Sequence, residues 1–81
     1  MKVILDAGKL ERKEESHAYL KEIFGFPEYY GGNLDAFYDC LTELHDVEIE
    51  LVHVEEAGGY FRRVYPILVK VCGERDNLTL V

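Results

Sequence analysis

Lys2 to Leu5 is a short, almost uninterrupted apolar run closed by Asp6-Ala7-Gly8, the pattern of a strand buried on both faces of a small parallel sheet. From about Lys13 to Phe24 the period changes. His17, Leu20, Ile23 and Phe24 recur at helical spacing, and Glu14 and Glu15 stand near the start, where the helix dipole favours negative charge. Gly25 and Pro27 end that helix. Asn33 suits the N-cap of a second helix reaching about Leu44, because its side chain can accept a hydrogen bond from a free amide of the first turn. Val47 to Val54 first alternates and then turns mostly apolar, which predicts a strand. Glu55 to about Gly73 is helical in pattern but broken by Gly58-Gly59 and by Pro66, so a short helix followed by a kinked or restarted one is expected. Leu78 to Val81, after the turn-like Asp76-Asn77, makes a third strand. The order β-α-α-β-α(α)-β predicts an α/β fold: a three-stranded parallel sheet with right-handed crossovers, packed with three to four helices.

Eighty-one residues are expected to form a single domain, 1–81, with one core. The apolar share of 48% supports such a core, and the 31% charged share must lie mostly on its surface. Sixteen acidic residues against nine basic ones give a formal charge of -7, which disfavours contact with nucleic acid phosphates or anionic lipid and suits a basic protein partner. No apolar run approaches the roughly 18–20 residues of a membrane span, and Met1-Lys-Val-Ile-Leu-Asp6 lacks a signal-peptide layout, so a cytoplasmic location is expected. Cys40 and Cys72, 32 positions apart with no CxxC or Cys/His spacing, read as reduced and largely buried thiols rather than a metal or redox site.

On a helical wheel Leu34, Phe37, Leu41 and Leu44 share one side with Cys40 at its edge, and that side faces the core. Asp35, Asp39 and Thr42 share an adjacent, solvent-facing side, with Tyr38 at the border. Asp35 near the helix start has a structural reason in the dipole. Asp39 lies more than a turn further on, where the dipole helps little and Asp is a poor helix former. The two carboxylates, spaced i and i+4, repel by a few tenths of a kcal/mol, about 0.2–0.5. That repulsion points to an external cation. Before the helix, Tyr29 and Tyr30 precede Gly31-Gly32, where the backbone can turn sharply or approach another surface. Tyr30 is expected inward and Tyr29 outward; tyrosine is also enriched at binding hot spots.

The stretch Phe26 to Thr42, reading Phe-Pro-Glu-Tyr-Tyr-Gly-Gly-Asn-Leu-Asp-Ala-Phe-Tyr-Asp-Cys-Leu-Thr, closely resembles the barstar family of intracellular inhibitors of barnase-like ribonucleases. The helix before it and the closing Leu78-Thr79-Leu80 are similar in type and order. The resemblance implies a compact three-stranded α/β fold and inhibition by plugging, with carboxylates taking the places of RNA phosphates in the nuclease cleft. By that match Asp39 is the central anchor and Asp35 meets a basic or catalytic side chain. Tyr29 stacks in the cleft, Tyr38 stands where the family carries a tryptophan, and Gly31, Asn33 and Thr42 line the contact. The implied partner is a basic, extracellular-type ribonuclease bound 1:1, with the free inhibitor monomeric and without cofactor. Three positions depart from the pattern: Gly32 replaces an acidic residue, Leu44 an aromatic one, and Lys70 falls roughly at a peripheral glutamate. An acidic module for another basic partner, or an antitoxin for a different nuclease, is the alternative.

An enzyme would need Glu28, Asp35 and Asp39 as acid, base or metal ligands, with His17, His45 or His53 as candidate helpers. Exposed aspartates on a helix face lack the water-excluding pocket that tunes such groups. His17 falls on the apolar face of its helix and reads as a packed core histidine, while His45 and His53 show no recognisable spacing.

Overall fold

In the computed structural model, which describes residues 1–81, three strands, β1 (Lys2–Asp6), β2 (Val47–Val52) and β3 (Leu78–Leu80), form a parallel sheet in the order β1-β2-β3. Three helices connect them: α1 (Lys13–Phe24) and α2 (Leu34–Thr42) between β1 and β2, and α3 (Phe61–Glu74) between β2 and β3. Short 3-10 turns occupy Ala7–Lys9 and Val54–Glu56.

Val3 pairs with Ile49 and Val47 with Leu78, so the inward residues of all three strands fall in register. Val3, Leu5, Val47, Ile49 and Leu78 are buried there against Leu20 and Phe24 of α1, Phe37 and Leu41 of α2, and Val64, Leu68 and Val71 of α3. The intervening residues Lys2, Glu48 and Thr79 are exposed, and Ile4 is 56% exposed. Burial of β1 on both faces is therefore corrected. Three helices cover one face of the sheet, and none remains for the other. A run as short as Val3-Ile4-Leu5 looks the same in either case, because the outward position happens to hold an isoleucine rather than a polar residue.

Three element boundaries also differ from the sequence expectation. α2 stops at Thr42, since the Glu43 and Leu44 amides turn back to the Cys40 and Leu41 carbonyls, both at 3.2 Å, in a tighter i→i−3 pattern. β2 stops at Val52, because His53 adopts a left-handed conformation (φ 58°) that no strand can continue. Phe61 to Glu74 is one helix with Pro66 inside it. Pro66 and Arg62, whose carbonyl loses its helical donor to the proline, are both exposed residues, so water can serve that carbonyl and the proline is tolerable there.

Gly58 shows why the short 3-10 turn at Val54–Glu56 does not run on into α3. Its amide donates to the Ala7 carbonyl at 3.3 Å, and a Cβ placed on it would lie 2.3 Å from the Glu11 Cα. The Tyr60 and Phe61 amides continue this docking onto Glu11 and Leu10 at 3.2 and 2.9 Å. The start of α3 is thus fixed to the segment between β1 and α1, which in turn fixes α3 beside α2.

Candidate protein-binding site

Aromatic packing carries the chain from α1 into α2. Phe26 stacks on Phe24 with ring centroids 5.4 Å apart, meets Phe37 at 6.1 Å and Tyr30 at 4.9 Å. The loop between is closed by the Tyr30 amide bonding the Pro27 carbonyl at 3.0 Å. Gly32 then takes φ +67°, a left-handed conformation that a side-chain-bearing residue adopts only at a cost. It delivers Asn33 in extended conformation to cap α2, with the Asn33 Oδ1 accepting from the Ala36 amide at 2.8 Å.

Beneath the loop His17 is buried between two tyrosines, its Nδ1 2.6 Å from the Tyr30 hydroxyl and its Nε2 2.7 Å from the Tyr60 hydroxyl. A neutral imidazole donates through one nitrogen and accepts through the other, so both contacts are satisfied without a buried charge. Burial and the nearby Lys13 charge both push the His17 pKa down, and burial pushes the Tyr30 hydroxyl up, reinforced by Cys40 and Tyr60. This bridge ties the loop before α2 to α1 and to the start of α3. His17 was legible as a core histidine, but Tyr60 was not identified, because nothing local signals a contact spanning 43 residues.

Tyr29 is 82% exposed and Tyr30 only partly so. Gly31, Asn33, Asp35 and Asp39 are exposed, while Tyr38 and Thr42 are half-buried. Asp35 and Asp39 stand on the outer face of α2 while Phe37, Cys40 and Leu41 fill the core. Neither aspartate takes part in any of the three ion pairs of the molecule. The Thr42 hydroxyl is engaged internally, donating to the Asp39 carbonyl at 2.7 Å.

A surface groove of about 460 Å³ runs between α2 and α3, lined by Leu34, Asp35, Tyr38, Asp39, Ile67 and Lys70. Tyr38 forms its wall. Its hydroxyl donates to Glu74 Oε1 at 3.2 Å, and the Lys70 ammonium sits 5.3 Å from its ring centroid. Ile67 and Glu74 were not singled out in the sequence, since a helix 30 residues away gives no local sign of which turn will face α2. No histidine lines this groove: His17 is buried, His45 Nδ1 lies 2.8 Å from Asn77 Nδ2, and His53 Nδ1 lies 3.0 Å from Asp6 Oδ1. No group of three or more His, Cys, Asp or Glu side chains is placed to hold a metal ion. No helix is long and apolar enough to cross a membrane.

Two carboxylates without ion-pair partners on the exposed face of a helix, after a loop with an exposed tyrosine, can engage a cationic protein surface. They are not set in the closed pocket that acid-base chemistry requires. Comparison with known proteins agrees with that class. The family model described as "Barstar (barnase inhibitor)" matches residues 1–64, and the chain belongs to the barstar family. It is similar to a protein of Bacillus subtilis (strain 168) named "Putative ribonuclease inhibitor YrdF", with 47% identity over 51 residues, 63% of this chain and 56% of that protein. The match thus spans little more than half of that relative's length.

Proposed function

We propose that the chain inhibits a basic, barnase-like ribonuclease inside the cell by seating α2 and the Tyr29–Gly32 loop in the enzyme's cleft, one inhibitor per enzyme. A ribonuclease must keep a cationic, partly desolvated pocket for RNA phosphates, and carboxylates on a helix can occupy it while offering no scissile bond. Asp39 is the central anchor in this reading. Asp35 meets a second basic group, Tyr29 stacks on the cleft, and Tyr38, Gly31, Asn33 and Thr42 complete the contact.

The single observation supporting it most is that Asp35 and Asp39 are exposed and free of ion pairs within a chain of the barstar family. Such charges cost the free protein a little and gain only when a partner arrives. An assay of RNA hydrolysis by barnase with increasing amounts of this protein tests the reading. Stoichiometric loss of hydrolysis is expected; undiminished hydrolysis at large excess of inhibitor contradicts it.

A further inference from the structure

Lys70 is the one cation lining the acidic groove, and no carboxylate forms an ion pair with it, the nearby Glu74 being engaged by the Tyr38 hydroxyl. It is exposed and belongs to none of the ion pairs, although Asp35 and Asp39 line the same groove. Its ammonium lies over the Tyr38 ring, whose hydroxyl is itself held by Glu74. An ammonium held over an aromatic face is attracted by the ring's negative quadrupole, so Tyr38 holds the Lys70 charge at the groove without cancelling it. Leu34, Tyr38 and Ile67 line the groove beside these charges, so a partner side chain entering it loses part of its water and feels them more strongly than it would on a flat surface.

We infer that Lys70 is a specificity-determining residue of this surface, selecting a ribonuclease that places a carboxylate opposite α3 among the cations that face Asp35 and Asp39. The inference rests on the plug reading above and sharpens it. A partner with cations all around its cleft would meet Lys70 as a like charge, which is penalised most where water is excluded. A partner carrying one acidic residue on that side would satisfy all three charges together. Asp35 and Asp39 line the groove on the α2 side and Lys70 on the α3 side, with Glu74 engaged by the Tyr38 hydroxyl, and this pattern disfavours nucleases that a uniformly acidic face would accept.

A charge-swap series in barnase tests this without knowledge of the native partner. Cationic residues rimming the barnase cleft are replaced by Glu one at a time, and each variant is titrated with the natural chain, Lys70→Glu, Lys70→Met and Asp39→Ala. One rim replacement is expected to tighten the complex with the natural chain by about fivefold and to weaken that with Lys70→Glu by a similar factor. Lys70→Met keeps an unbranched side chain of similar length but removes the charge, and should lose the preference while retaining binding. If Lys70 only props Tyr38, Lys70→Glu and Lys70→Met would respond alike to every rim replacement, and the inference falls while Asp39-dependent binding leaves the plug reading intact. Binding that Asp39→Ala does not weaken, or no binding to barnase and all its variants, removes the plug reading and this inference with it.

Discussion

Asp35 and Asp39 differ in what they do for the folded chain. Asp35 lies in the first turn of α2, where the dipole welcomes it, whereas Asp39 has neither dipole nor ion-pair partner. Their exposed side of the helix followed from 100° periodicity, which is why the placement of these two candidate residues was legible in the sequence. What periodicity could not supply were the partners from α3, Ile67, Lys70 and Glu74, or the use of the Thr42 hydroxyl within its own helix. Asn33 makes a local contact of measurable size: Asn33→Ala removes the cap on the Ala36 amide and should lower stability by about 1 kcal/mol in urea unfolding. An unchanged midpoint would show that the cap contributes nothing.

His53 and His17 give opposite pH dependences. Contact with the Asp6 carboxylate raises the His53 pKa above its usual 6.5. Desolvation works against ionisation of Asp6, but the bonds from His53 and the Gly8 amide prevail and lower its pKa. The His53 contribution is therefore complete below pH 6.5 and is lost as pH rises through the raised value of the folded state. For His17 the folded value is depressed, so its contribution is present above pH 6.5 and is lost as pH falls through that depressed value. Unfolding midpoints from about pH 6 to about pH 9 should show the natural chain losing its advantage over His53→Gln as pH rises. A gap that stays constant or widens would contradict the contact.

At the scale of elements, the order and type of strands and helices were readable because each has its own period, and the two long crossovers leave little choice but parallel pairing. The limits of the elements were less so. His53 ends β2 by a backbone conformation that its side chain does not advertise, and Pro66 is absorbed because it falls on the exposed face of α3. The Gly58-Gly59 break was visible, but its cause, the close approach of Gly58 to Glu11, is tertiary. Gly58→Ala should therefore destabilise the protein by about 1–3 kcal/mol, since backbone on both sides must shift. A variant as stable as the parent would mean that α3 is not docked in this way.

Across the whole molecule, the sheet is covered on one face only, and α2 and α3 lie side by side on the covered side. The groove between them places the acidic helix at a surface that a convex or lipped partner can grasp, while the charge of -7 extends the attraction beyond contact. Association with a basic ribonuclease should accordingly slow steeply as salt is raised from low to about 0.15 M, where the screening length is about 8 Å. Stopped-flow on-rates indifferent to salt would contradict electrostatic steering.

The central claim is that Asp39 on α2 anchors the chain in a ribonuclease cleft. Isothermal titration of barnase with the natural chain and with Asp39→Ala, under conditions where both are folded by circular dichroism, tests it most directly. A 1:1 complex is expected for the natural chain, weakened by about 2–5 kcal/mol or more in the variant because barnase cations are left unpaired, barnase and barstar being among the complexes from which that range is known. Equal binding of the two proteins would contradict the account.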